Sequence, residues 1–373
     1  METLFWVSAT LLFYIYFGYP LLLWLLSKVV AKPVRPAEIL PSVSVLLSAF
    51  NEEKVLVQKV ENLLSLDYPK DRLEILVGSD GSTDRTIEIL KWYQGHGVQL
   101  HVEETRGGKP RMLNLLAKEA KGDILVLTDA RQRIDRQAVR ELVKNFNDPT
   151  VGCVSGELIF RSHRGSVGEG VGRYWSYEKF IRQKESDLDS VIGATGALYA
   201  VRRLLYTPVP EETVLDDVYL PMKVVAQGFR TLFEPKALVF DDASQTPRQE
   251  YDRKVRTLAG NYQSFVQLAG MLNPLKSRVA FQFISHKLLR ILAPFFLLTL
   301  FVATLPLREE PFYHLFLMGQ LLFYGLALLG AVVPGRIRRL VSTPYVFCLL
   351  NVSALVGLYR YLTGRQQVTW KTQ

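Results

Sequence analysis

Four stretches of the chain, Thr3 to Ser27, Ile291 to Leu307, Pro311 to Gly335 and Leu340 to Tyr359, contain no Asp, Glu, Lys or Arg. A helix needs about 20 residues to cross a hydrocarbon core of roughly 30 Å, so these runs predict membrane-spanning segments. The Ile291 run is short, but Lys287 and Arg290 at its near end can snorkel, which lets the helix begin before them. The first run differs from a secretory signal: its apolar stretch is too long, and its basic residues, Lys28, Lys32 and Arg35, follow it. It reads as a retained anchor.

After a Pro-containing linker, Lys32 to Pro41, short apolar runs alternate with helix-period stretches. Ser42 to Ser48, Leu73 to Ser79 and Asp123 to Thr128 read as strands, Glu52 to Leu64 and Asp84 to Tyr93 as helices. Ser82 or Thr83 can cap the second helix, and Gly107-Gly108 opens a further one through Ala120. This alternation predicts an α/β domain with a mostly parallel sheet and helices on both faces. The expected organisation is an anchor at 1–31, a polar domain at 32–280 and a membrane region of two or three spanning helices at 281–373. Within the domain, residues 166–185 interleave Val167, Val171, Tyr174, Trp175, Tyr177, Phe180 and Ile181 with Arg173, Lys179, Arg182 and Lys184. A helix there presents aromatics on one side and cations on another, as interfacial helices do, or packs on the sheet.

Composition narrows the class. Of 373 residues 49% are apolar and 22% charged, and the mean hydropathy lies slightly above zero, which excludes a disordered chain, a collagen-like fibre or a small disulfide scaffold. The two cysteines, Cys153 and Cys348, are far apart and support neither a disulfide framework nor a cysteine metal cluster. The net charge of +9 calls for no nucleic acid, because much of it flanks the apolar runs, where an anionic leaflet accounts for it. Lys28, Lys32 and Arg35, then Lys276, Arg278, Lys287 and Arg290, then Arg336, Arg338 and Arg339, place the amino terminus outside and the segment 36–280 in the cytoplasm of a multi-pass protein of the cell (inner or plasma) membrane. Arg360, Arg365 and Lys371 conflict with four full crossings, so either the last run does not cross or the charge rule fails there.

In parallel α/β sheets the ligand sits beyond the carboxyl ends of the strands. Three acidic clusters fall there: Ala49-Phe50-Asn51-Glu52-Glu53 after the first strand, Asp80-Gly81-Ser82-Thr83-Asp84 after the second, and Asp129-Ala130 after the third. A carboxylate at such an edge can accept from a nucleobase imide or a ribose, or hold a divalent metal. Any one alone is a cap or turn Asp; three on consecutive edges are hard to explain that way.

The order AFNEE, DGSTD, RGGK, TDA, GATGALYA, LDDVYL and RKVRT, followed by terminal apolar runs, resembles the family 2 glycosyltransferases, the membrane-bound group that includes cellulose and hyaluronan synthases. The likeness covers nearly the entire chain. It implies a GT-A-like nucleotide-sugar-binding domain with α-helical transmembrane segments at both ends. It further implies that Ala49, Asn51 and Glu53 line the nucleotide pocket, that Asp80 binds the base, most often uracil, and that Lys109 approaches the nucleotide from a flexible loop. Asp129 matches the first position of the family's metal-binding Asp-x-Asp, whose third position is here Arg131; Asp242 is the candidate second ligand for Mg²⁺ or Mn²⁺. Asp217 matches the catalytic base of an acidic pair, with Asp216 beside it as an amino-terminal cap or acceptor contact, and Gly193, Thr195 and Gly196 as an acceptor wall.

Arg253 and Arg256, three apart on a helix, share a face that can grip a diphosphate. Thr257 stands where the polymer-making relatives carry a tryptophan under the acceptor sugar, which favours one or a few transfers over a long chain. The expected activity is inverting transfer of a sugar from a nucleoside diphosphate, UDP first, to a hydroxyl of a lipid-linked or polysaccharide acceptor beside the bilayer, with homo-oligomers allowed. Two alternatives stand beside it: a processive polysaccharide synthase, and a non-catalytic nucleotide-sugar-sensing subunit. A transporter is disfavoured because the four charge-free runs offer no buried ionisable residue of the sort that marks a pathway.

Overall fold

The computed structural model describes residues 1–161, 166–242, 247–333 and 340–366. Arg336, Arg338, Arg339 and Lys371, and the side chains of Val167, Val171 and Arg173, lie outside the described residues. The chain begins with helix α1 (Glu2–Val29). Strand β1 (Val43–Ala49), helix α2 (Glu53–Leu64), β2 (Leu73–Asp80), α3 (Thr86–Gln94), β3 (Val98–Glu103), α4 (Lys109–Glu119) and β4 (Ile124–Thr128) then alternate as the sequence predicts, with β3 added. A second run follows: β5 (Arg133–Ile134), α5 (Ala138–Val143), β6 (Val151–Phe160), α6 (Ser166–Leu188), β7 (Leu198–Arg202), α7 (Asp216–Ala226) and β8 (Arg230–Asp241). Helices α8 (Pro247–Gln267), α9 (Ala280–Leu307), α10 (Pro311–Val332) and α11 (Ser342–Leu362) complete the described chain.

Two compact units result. The α/β unit comprises Ala31–Arg161 and Glu185–Asp242. Its eight strands form one sheet in the order β3-β2-β1-β4-β7-β6-β8-β5. Strands β3, β2, β1 and β4 are parallel, while β7 runs antiparallel to both β4 and β6. Val43, Val45 and Leu47 of β1 and Ile124 and Val126 of β4 pack with Leu56, Val60 and Leu63 of α2. Strands this apolar on both faces belong in the middle of a helix-covered sheet. Their register sets Ala49 opposite Ser79 and Leu47 opposite Thr128, so β1, β2 and β4 end at one edge.

The helical unit comprises Met1–Val30, Ser162–Lys184 and Ala243–Gln366, and so takes in more of the chain than the two ends set apart from the sequence. Helices α1, α9, α10 and α11 are long and apolar enough to cross a membrane. Phe5, Leu12 and Ile15 of α1 pack on Ala293, Leu300 and Ala303 of α9 and Tyr313 of α10. Pro20 in α1 lacks the N–H that would bond the Tyr16 carbonyl, and the helix loosens to a π turn at Tyr14–Gly18. The Tyr177 hydroxyl of α6 donates to that carbonyl at 3.0 Å.

Arg290 does not snorkel as expected. Its Nη1 lies 2.5 Å from Glu178 Oε2 of α6, and His286 Nε2 lies 2.6 Å from Glu178 Oε1. A buried ion cluster therefore sits in the first part of α9, just ahead of the charge-free run Ile291 to Leu307. Helix α9 begins at Ala280, ahead of the charge-free run, and the partner carboxylate comes from α6. Glu178 thereby ties helix α6 to α9 within the helical unit.

Candidate active site

The loops after β1 and β2 are stitched together. Asn51, in the left-handed region at φ +50°, accepts the Thr83 main-chain N–H at its Oδ1 (2.8 Å) and donates from Nδ2 to Thr83 Oγ1 (3.2 Å). Its own main-chain N–H donates to Ser82 Oγ. Glu53 Oε2 accepts the Arg85 N–H, and the Glu53 N–H donates to Asp84 Oδ2. Ser82 and Thr83 are thus not the caps of α3: both are engaged with Asn51, and Asp84 Oδ1 accepts the Thr86 N–H instead. Ala49 lies buried at the end of β1, where the first of these loops begins.

Asp80 ends β2 and is 3% exposed. Its two carboxylate oxygens accept the main-chain N–H groups of Gly107 (2.7 Å) and Gly108 (2.8 Å). Glycine at 81, with φ +68°, allows the close passage beneath; a Cβ there would sit 2.7 Å from the Arg106 nitrogen. The carboxylate therefore fixes the loop that delivers Lys109.

Lys109 is the first residue of α4 rather than part of a flexible loop. Its Nζ lies 2.8 Å from Asp129 Oδ1 and 3.2 Å from Asp216 Oδ2. A cation at a helix amino terminus is opposed by the dipole, and burial also works against its charge. Asp129 and Asp216, with Asp217 behind them, outweigh both and hold its pKa above the ordinary lysine value. Tyr199 also donates to Asp216 Oδ2, at 3.3 Å.

Asp217 is held through its main chain and its side chain. Pro221, four residues on in α7, has no N–H for the Asp217 carbonyl. Ala194 N–H donates to that carbonyl at 2.6 Å, and Gly196 N–H donates to Asp217 Oδ2 at 3.1 Å. A Cβ at Gly196 would lie 2.9 Å from the same oxygen, and Gly193 has φ +98°. Thr195 N–H donates to Ser155 Oγ, fixing the loop from the other side. The residue preceding α7 is Leu215, so Asp216 and Asp217 are first-turn residues and Asp216 is not the cap.

The remaining candidates lie elsewhere. Arg131 points to the β1 side, where its Nε sits 3.3 Å from Glu52 Oε1; burial raises the Glu52 carboxyl above its ordinary value against that cation. Asp242 is exposed at the end of β8 beside Asp241, whose Oδ2 accepts from Gln132 Nε2. Arg253 and Arg256 stand on α8 of the helical unit, where Arg253 Nη2 lies 2.7 Å from Glu250 Oε2. Among the described residues no group of three or more His, Cys, Asp or Glu side chains is placed to hold a metal ion. No such group surrounds Asp129, whose surroundings do not fit an ion held by protein ligands only. They fit one carried in by a diphosphate, whose oxygens complete the shell.

Sequence reasoning missed Asn114 and Lys59. Asn114 braces Tyr206 and Val209 from α4. Lys59 is a cation inside the apolar stripe of α2, and that misplacement in the periodicity was its available signal.

Comparison with known proteins adds a match to a family model. The profile of Glycosyl transferase family 2 matches residues 44–206. The chain is 26% identical over 234 residues to a beta-monoglucosyldiacylglycerol synthase of Synechocystis, covering 61% of this chain and 49% of that protein. It is 25% identical over 239 residues to a poly-beta-1,6-N-acetyl-D-glucosamine synthase of Staphylococcus aureus, covering 62% and 57%. The chain spans about half the length of these curated relatives. Among solved structures it is similar to a mannosyltransferase from Pyrobaculum calidifontis in complex with GDP-Man and Mn²⁺, with a TM-score of 0.70 and 23% identity, covering 96% of this chain and 99% of that one. That likeness shows a shared GT-A-like fold.

Proposed function

Given that the chain carries a glycosyl transferase family 2 domain over residues 44–206, we propose that it is an inverting glycosyltransferase. It moves a sugar from a nucleoside diphosphate to a hydroxyl of a lipid-borne acceptor. The observation that carries this reading is the convergence of Asp129, Asp216 and Asp217 on Lys109 at one sheet edge, with Asp80 fixing the loop before Lys109.

The acceptor oxygen attacks the anomeric carbon as the bond to the diphosphate breaks, and its proton passes to the Asp217 carboxylate. Single displacement without a covalent enzyme intermediate inverts the anomeric centre. Gly196 and Ala194 hold Asp217 in one orientation, so the base is aimed before substrate arrives. Asp129 would hold Mn²⁺ or Mg²⁺ arriving with the diphosphate, which would supply charge neutralisation for the leaving group. Lys109 bridges Asp129 and Asp216.

The lipid acceptor rests on the four apolar helices and on the likeness to a glucosyldiacylglycerol synthase. By the distribution of basic residues, the α/β unit faces the cytoplasm.

The test uses detergent-purified protein and radiolabelled UDP- and GDP-sugars with diacylglycerol and polyprenyl-linked sugar acceptors. Asp217→Asn is expected to keep nucleotide affinity within about threefold while turnover falls about 100-fold to 10,000-fold. Nucleotide binding without turnover by the unmutated protein over the whole panel would replace this reading with that of a sensing subunit.

A further inference from the structure

Helix α2 carries one cation inside the apolar stripe that packs on the sheet. Leu56, Val60 and Leu63 are fully buried, and Lys59 among them is 3% exposed. A buried ammonium is costly unless its protons are taken up, and apolar side chains of similar volume serve stability as well or better. Here Lys59 Nζ donates to Thr128 Oγ1 and to the Gln132 main-chain oxygen, both at 2.8 Å. Thr128 and Gln132 flank Asp129 in the chain. Burial pulls the Lys59 pKa down to about 7, against the opposing field of Asp129.

The contact continues beyond Thr128. The Thr128 hydroxyl, accepting from Lys59, donates its own proton to the Ala197 carbonyl at 2.8 Å. Ala197 follows Gly196, whose N–H orients Asp217 Oδ2. One helical step along α2, Asn62 takes both the N–H and the carbonyl of Ile134 at 2.8 Å. The helix therefore grips the segment from Thr128 to Ile134 at two points, and one of the grips reaches across β4 to the glycine loop.

Resting on the roles proposed above for Asp129 and Asp217, we infer that Lys59 is a positioning residue for both. Through Thr128 and Gln132 it fixes the turn that presents Asp129, and through Thr128 and Ala197 it fixes the loop that aims Asp217. A single buried side chain thereby sets the spacing between the donor side and the base. The cation acts through its neighbours and touches no substrate.

The experiment compares Lys59→Met, Thr128→Val and the double variant of the full chain in detergent. Lys59→Met keeps length and volume and removes the donors, and Thr128→Val breaks the relay while leaving Lys59 its bond to the Gln132 main-chain oxygen. Each is expected to lower kcat about tenfold to 100-fold, and Lys59→Met to raise the Kd for UDP or GDP with Mn²⁺ about threefold to tenfold. The double variant should be no worse than the poorer single one. The Tm of Lys59→Met should not fall, since a buried charge has been removed.

Additive losses, or a kcat and Kd of Lys59→Met within about twofold of the unmutated protein, overturn the assignment. If Lys59→Met does not fold, Thr128→Val decides alone by the same twofold limit on kcat. If the unmutated chain binds nucleotide without turning over a donor, the transferase reading falls and the Kd of the variants still judges Lys59. If neither nucleotide binds, both fall.

Discussion

In the α/β unit three carboxylates, Asp129, Asp216 and Asp217, act on the ammonium of Lys109, and the Asp129 side chain keeps 30% of its surface exposed. In the helical unit one carboxylate, Glu178, meets His286 and Arg290, one on each oxygen, at 12% exposure. The first cluster leaves a surplus of negative charge at an open sheet edge, the electrostatic condition for receiving a cation with a diphosphate. The second closes on itself: burial pushes the Glu178 carboxyl up, but Arg290 and His286 prevail and hold it well below the ordinary range. Buried charge is therefore arranged in two ways in one chain, with anions in excess around Lys109 at the sheet edge and cations in excess around Glu178 between helices.

The sharpest way to break this contrast is to remove one charge from each cluster. Glu178→Gln strands Arg290 beside His286 and is expected to cost about 3 kcal/mol of stability, while kcat per folded molecule stays within about twofold. Chemical denaturation in detergent, paired with an activity assay normalised to folded protein, checks both halves. Lys109→Met should do the reverse, lowering turnover about 100-fold for about 1–2 kcal/mol of stability, the smaller figure reflecting its partial exposure. Equal losses of turnover in the two variants would show that the clusters are not different in kind.

The smallest expected effect sharpens the picture of charge inside the α/β unit. Lys59 has a folded-state pKa of about 7, below the ordinary lysine value. Between that value and the unfolded one the unfolded chain binds more protons, so stability rises with pH across the window. The burden is fully present below about 7 and is relieved as the amine sheds its proton. Between about pH 6 and pH 8 the gain is on the order of 1 kcal/mol. The same scan on Lys59→Met should be flat over that interval; an equal slope in both proteins would assign the pH dependence to another group.

Much of this architecture was readable beforehand because it rests on local periodicity. Strands β1, β2 and β4 are continuous apolar runs, and their acidic carboxyl-terminal neighbours fall at one edge because parallel strands in register end together. Strand β3 was missed because Val98–Glu103 is an edge strand whose exposed polar residues dilute the pattern. The antiparallel insertion of β7 between β4 and β6 was also missed, since strand order is a pairing choice that no single segment encodes. Ser82 and Thr83 were misassigned for a related reason. A capping side chain chooses among nearby N–H groups, and the winning partner, Asn51, is about 30 residues away in sequence.

What the sequence alone determined is the kind of protein: an α/β sheet with carboxylates at its strand ends, between helices apolar enough for a membrane. These follow from composition and from repeats of two and 3.6 residues, which act over a few turns of chain. Only tertiary structure decided which charges meet. It set Lys109 between Asp129 and Asp216, opened the Asp217 carbonyl to Ala194 at Pro221, and brought Glu178 to Arg290 across 112 residues. Charge pairing depends on distance in space and on the burial that strengthens it, and neither quantity exists until the sheet and the helices have closed around it.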